Sequence, residues 1–249
     1  MSALTAAVLW LGLAPPVRAA EVERYTWDLA LEGETIGTRQ LTVKYRSDGV
    51  AEVRVLESWT ELAVSLGRDD FTWTQRLSGL SRSGSGTFAS ANDQDGWLRE
   101  VQAVKKLSGW TVTVAEDGQA RVYHLDRDAF DLTSLDLLDP GQGDRLQGRT
   151  SLRVLTAETG TVLTGPLEPL GPTPVVIDGV SVAGTGYLWT TPDGPMELVY
   201  GPEGHLLRYA LRIGVVVVSA TLADPPQARR YEEELSGPLV GPAVVEEPL

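Results

Sequence analysis

Apolar side chains recur at every second position through most of this chain, and the runs are cut about every ten residues by turn chemistry. Tyr25, Trp27, Leu29 and Leu31 alternate with Thr26, Asp28, Ala30 and Glu32. Successive side chains of a strand point to opposite faces, so this order sends the large apolar groups one way and the small or polar ones the other. Leu41, Val43 and Tyr45 repeat the pattern against Thr42, Lys44 and Arg46. Gly33-Glu34 and Ser47-Asp48-Gly49 are the turns, their glycines free to take positive φ. The rhythm continues in Ala51, Val53 and Val55, in Phe71 and Trp73, in Trp110, Val112 and Val114, and in Val122 and His124 after Glu116-Asp117-Gly118.

The C-terminal half is built the same way. Asp178-Gly179 separates Val175-Val176-Ile177 from Val180-Ser181-Val182, a two-residue hairpin signal, and Pro192-Asp193-Gly194-Pro195 and Gly201-Pro202-Glu203-Gly204 are further turns. This predicts about ten or more antiparallel strands in a meander. Neighbouring strands are rotated by about 20°, so a sheet that wide curls. The expected fold class is therefore mainly all-β: one large curved antiparallel sheet, a half-barrel or barrel, with one or two short helices. Thr133 or Ser134 caps a helical turn from Leu135 to Leu138, ended by Pro140-Gly141, while Thr60 to Leu66 fits either helix or strand. Gly165 to Pro174, GPLEPLGPTP, reads as a rigid connection across the sheet edge. Near the end, Val215 to Val218 interrupts the alternation, which predicts a central strand covered on both faces or one that lines a cavity.

Residues 1–19 hold an apolar run from Leu4 to Leu13, a Pro15-Pro16 break and Val17-Arg18-Ala19, the form of a secretory signal cut before Ala20. The run is shorter than the roughly 20 apolar residues that cross a bilayer. Residues 20–249 are then expected to form a single domain of the periplasm, with no transmembrane segment. Among 249 residues there is no cysteine, which excludes disulfides, thiol catalysis and zinc–thiolate sites. The net charge of −13 repels phosphate backbones, so no nucleic-acid partner is expected.

Catalytic motifs are scarce. Gly179-Val180-Ser181-Val182-Ala183 lacks the last glycine of a nucleophile turn and falls in a hairpin. His124 and His205 are the only histidines, too few for a histidine metal site. Asn92-Asp93-Gln94-Asp95-Gly96 resembles half a calcium loop but has Ala91 and Gln102 where the end ligands belong, so it reads as a polar turn. Asp126, Asp128 and Asp131 are the remaining carboxylates that could share acid–base work, with Arg127 beside them for ion pairing. No catalytic residue, metal or cofactor is expected from these patterns. The aromatic residues say more: Trp27, Tyr45, Phe71, Trp73 and Trp110, if they converge on the concave face, line a surface suited to a lipid or acyl chain. The competing reading has the same rings filling a core.

Gly33-Glu34-Thr35-Ile36-Gly37, Trp97 after Asp95-Gly96, Thr133-Ser134, Trp189, Leu198-Val199-Tyr200-Gly201, Gly204, Leu206-Leu207, Gly214 and Leu222 span nearly the whole mature chain. In these the chain resembles an uncharacterised family of secreted Gram-negative proteins of unknown function. That family is similar to the periplasmic half-barrel superfamily of lipoprotein carriers and lipid-binding outer-membrane lipoproteins. The resemblance implies a sheet wrapped around an apolar cavity and supplies no catalytic residue. The carriers plug their half-barrel with helices, for which only Ser134 to Leu138 and Thr60 to Leu66 are candidates here. The expected function is thus non-catalytic binding or carriage of a hydrophobic molecule. The alternatives are an envelope scaffold with a filled core and a protein partner, and a hydrolase using the Asp126/Asp128 region.

Overall fold

The computed structural model describes residues 20–47, 52–66, 69–82, 86–138, 143–213, 216–224 and 231–233. The signal assigned to residues 1–19, the tip of the Ser47-Asp48-Gly49 turn, Ala51, Pro140-Gly141 and Val215 lie outside them.

Eight strands follow one another as a meander: β1 Ala20–Leu31, β2 Glu34–Ser47, β3 Glu52–Leu66, β4 Asp69–Arg82, β5 Thr87–Gln94, β6 Trp97–Lys106, β7 Gly109–Glu116 and β8 Gln119–Leu125. Then come β9 Leu132–Thr133, the helix α1 Ser134–Leu138, a single 3-10 turn at Gly143–Leu146, β10 Ser151–Leu155 and β11 Val162–Pro172. The chain ends in β12 Val175–Ile177, β13 Val180–Val182, β14 Thr185–Thr191, β15 Gly194–Tyr200, β16 Leu206–Ile213, β17 Val216–Leu222 and β18 Tyr231–Glu233. Among the described residues all but β12 and β13 join one sheet, in the order β8 to β1, then β17, β16, β15, β14, β11, β10, β9, with β18 on β1. The sheet is strongly curved and does not close into a barrel.

Four tight turns have the form expected of hairpins in a twisted sheet. Glu32-Gly33, Asp95-Gly96, Asp117-Gly118 and Asp178-Gly179 all have positive φ at both positions, 46–52° at the first and 73–89° at the glycine. That backbone matches the right-handed twist of the flanking strands. The first of these turns is centred one residue earlier than Gly33-Glu34, because Glu34 already pairs with Leu31.

Three other expectations change. Thr60 to Leu66 belongs to β3, paired with β4 throughout, so the strand reading of that segment holds. Most of Gly165 to Pro174 is not a connection but strand β11, bonded to β14 from Leu167 to Pro172. Its prolines are tolerated because β10 starts opposite Pro166 and the ladder shifts register between Pro169 and Gly171. In β17, Val218 is 1% exposed while Val217 is 56% exposed and borders the cavity inside the curved sheet, so of the two readings of that segment the covering of both faces does not hold.

The inward positions form one continuous core. Trp27, Leu29, Leu41, Val43, Leu77, Val101 and Val112 from the first half meet Leu135, Leu152, Leu155, Trp189, Leu198 and Val218 from the second. Each such side chain contributes about 1.5–3 kcal/mol on burial. Gly79 leaves room for α1, since a Cβ there would run into Leu135 Cδ1.

The two edges, β8 and β9, are consecutive in sequence, and residues 126–131 carry the chain across the gap between them. Asp131 N donates to Arg153 O at 2.8 Å and Trp110 Nε1 to Arg127 O at 3.1 Å. Arg153 also bonds the Asp128 carbonyl, and Tyr123 OH the Gly160 carbonyl. The β10–β11 turn, residues 156–161, folds inward against the first half, where Ser90 Oγ donates to Ala157 O at 2.7 Å.

Candidate functional site

The inward turn and α1 fill one part of the curved sheet and leave a cavity of about 640 Å³ beside them. That volume lies within the roughly 300–1,000 Å³ of small-molecule sites. Leu137 and Leu138 of α1, Val154 of β10 and Leu163 of β11 form part of its wall. Trp189 from β14, Met196 and Leu198 from β15 and Leu206 from β16 form another, and Trp73 from β4 adds a further indole. The Trp189 indole N–H donates to Leu152 O at 3.3 Å, which leaves the ring body as apolar surface.

α1 owes its position to local chemistry. Thr133 Oγ1 accepts from the Asp136 amide at 3.2 Å, while the Asp136 carboxylate accepts from the Thr133 amide at 2.8 Å, a reciprocal cap. The other carboxylate oxygen accepts from Arg54 Nη2 at 3.1 Å, tying the helix to β3. Ser134 Oγ donates to Glu158 Oε2 at 2.7 Å and accepts from Ala157 N at 2.9 Å, tying it to the turn.

The cavity also has a polar side. In register across four strands lie Trp27, Arg39, Thr60 and Gln75, all buried, while the next residues along, Asp28, Gln40, Glu61 and Arg76, face out. Arg39 and Gln75 line the cavity. Arg39 Nε donates to Ser58 Oγ at 2.9 Å and Nη1 to Tyr209 OH at 3.3 Å, with the guanidinium 5.9 Å from the Tyr209 ring centre. Among the described residues Nη2 has no hydrogen-bond partner. Burial pushes the Tyr209 hydroxyl above the usual phenol range, against the opposing effect of Arg39, so the phenol stays neutral. Gln75 Nε2 donates to Asn92 Oδ1 at 2.8 Å.

Of the five aromatic positions expected to line the concave face, Trp73 is at the cavity wall. Trp27 is directly behind it: its indole N–H donates to Leu206 O at 3.1 Å and its ring meets Tyr209 edge-on at 6.1 Å. Tyr45 packs on the core six residues further along β2 from Arg39, about 20 Å away at 3.3 Å per residue. Trp110 is at the seam, 4.7 Å from the Phe130 ring and under Lys105. Phe71 pairs with Val64 in the backbone, and its side chain lies outside the described residues.

The carboxylate clusters have structural partners. Asp95 Oδ1 accepts from the amide and hydroxyl of Thr74, and Asp93 Oδ1 from the Gly96 amide. Asp131 pairs with both Arg149 and Arg153, and none of Asp126, Asp128 and Asp131 lines the cavity. Among the described residues no three His, Cys, Asp or Glu side chains are grouped as a metal site, and no helix is long and apolar enough to cross a membrane.

Sequence alternation holds a signal for Arg39 that the reading of aromatic residues passes over. It shares the inward parity of Leu41 and Val43, as Thr60 shares that of Leu56 and Leu62, and Gln75 that of Trp73 and Leu77. A cation at an inward strand position is itself the anomaly worth following.

No protein-family model matches the chain, and no curated protein matches it in sequence. A solved structure is similar to it in fold, a beta-barrel-like protein of a domain of unknown function, DUF1849, from Brucella abortus. The two superpose with a TM-score of 0.61 at 11% identity, over 84% of this chain and 98% of the other.

Proposed function

We propose that this protein is a non-catalytic periplasmic protein that binds or carries a hydrophobic molecule, a lipid or the acyl part of a lipoprotein, inside its curved sheet. The observation that carries the proposal is the cavity of about 640 Å³ walled by Trp73, Leu138, Leu163, Trp189, Met196 and Leu198. A scaffold with a filled core has no use for such a space. The similarity in fold to a beta-barrel-like protein of unknown function supports the curved sheet that this reading needs, and the resemblance of the sequence motifs to a family similar to half-barrel lipid carriers supports an apolar ligand. Here the short α1 and the turn at residues 156–161 take the place of the long plugging helices of the carriers. Trp73 and Trp189 are the indoles that touch the ligand, and Trp27 holds Leu206 and Tyr209 in place behind them.

The test has two parts. Organic extracts of the purified protein, analysed by mass spectrometry, are expected to contain an acyl lipid in near-equal amount to protein. Stripped protein titrated with dodecanol is expected to show a saturable change in tryptophan fluorescence, abolished in Leu138→Trp, which fills the space. Lipid-free extracts together with no saturable response to dodecanol overturn the proposal.

A further inference from the structure

Arg39 is 3% exposed, lines the cavity and has an unpartnered Nη2, and among the described residues no carboxylate forms an ion pair with it. A guanidinium in such a place has lost most of its hydration and received two neutral hydrogen-bond acceptors in return. Holding it there is costly unless an anion completes the arrangement. The acidic residues of the cavity wall make no ion pair with it among the described residues: Glu158 Oε2 accepts from Ser134, though its charge reaches Tyr209, and Asp193 is in the exposed β14–β15 turn. Thr60, directly beside Arg39 in the next strand, presents a second buried group, Oγ1, without a hydrogen-bond partner among the described residues.

We infer that the ligand is amphipathic and that its anionic end is a carboxylate, which accepts a hydrogen bond from Arg39 Nη2 while its apolar chain lies against Trp73, Trp189 and Met196. This rests on the hydrophobic-ligand reading and narrows it to acyl chains ending in a free acid. Arg39 is the only basic residue among the described lining residues, and Glu158 and Asp193 are acidic, so the wall carries one more negative than positive charge. A dianionic phosphate monoester is therefore repelled more strongly than a monoanionic carboxylate, which is held by its hydrogen bond to Arg39 and not by net charge.

The experiment compares three twelve-carbon probes on stripped wild-type protein and on Arg39→Met and Arg39→Lys: dodecanoate, dodecanol and dodecyl phosphate. A charged hydrogen bond of this kind predicts that wild type binds dodecanoate roughly 10-fold to 100-fold more tightly than dodecanol. Arg39→Met is expected to erase that preference, read as the ratio of dodecanoate to dodecanol affinity within the same variant, and Arg39→Lys to retain part of it. Equal affinity of wild type for dodecanoate and dodecanol overturns the inference, needs no variant to fold, and leaves the hydrophobic-ligand reading standing. Failure of all three probes to bind overturns that underlying reading as well. Preference for dodecyl phosphate overturns the carboxylate assignment.

Discussion

At the scale of single residues, the inner face of the sheet is a compromise between a core and a site. Thr60 Oγ1 is fully buried and has no hydrogen-bond partner among the described residues, and a buried polar group in that condition costs about 1–3 kcal/mol. Thr60→Val keeps the shape and removes the hydroxyl. Ligand-free Thr60→Val is therefore expected to be more stable than wild type by roughly 1 kcal/mol, read as a higher urea midpoint at unchanged slope. A loss of stability of that size instead would mean that the hydroxyl has a partner in the folded protein. Gly160 is constrained differently. Its φ of +72° and its approach to Val114, where a Cβ would come within 2.6 Å of Cγ2, leave no room for a side chain. Gly160→Ala is expected to cost about 1–3 kcal/mol in the same measurement. Parity along each strand made the inward position of Thr60 and Arg39 readable from sequence. The contact of Gly160 with Val114 joins residues 46 apart in the chain, and no local pattern encodes it.

At the scale of elements, α1 decides how much of the interior remains open. Its five residues are too few to be stable as a helix alone, so its caps and packing must hold it. Thr133-Ser134 announces the helix in the sequence, and the observed span of Ser134–Leu138 agrees with that signal. The reading of β11 failed because prolines suggest a connection when the neighbouring strand is not visible. Only the start of β10 opposite Pro166, together with the register shift after Pro169, explains why a strand accepts them. Asp136 joins the cap to the Arg54 ion pair, with both side chains largely buried. Asp136→Ala is expected to destabilise the protein by about 1–2 kcal/mol. Faster amide hydrogen exchange at residues 134–138 and weaker dodecanol binding should accompany it, because Leu137 and Leu138 would no longer be held at the cavity wall. Unchanged exchange in α1 would show that core packing of Leu135 alone suffices.

At the scale of the whole molecule, curvature is legible from the number of alternating strands, and the failure to close is not. Closure depends on whether β8 and β9 meet in register, and side chains cross the gap there instead of a backbone ladder. Asp131 fastens the connecting segment to the β10 side of that gap, paired with Arg149 at 2.9 Å and Arg153 at 3.0 Å. Burial alone would raise its pKa, but hydrogen bonds from Arg153 and Arg149 outweigh burial and hold the carboxyl below the usual range. The folded state therefore binds this proton less tightly than the unfolded chain, whose aspartates titrate near about 3.9. The stabilisation is present above that value and is lost as pH falls through the lower folded pKa. Urea midpoints of wild type and Asp131→Asn should accordingly differ in full at about pH 6 and converge as pH falls below about 4, with wild type the more stable wherever they differ. A gap that stays constant across that range would assign the effect of the substitution to lost packing and remove Asp131 as the acid-sensitive fastening of the open sheet.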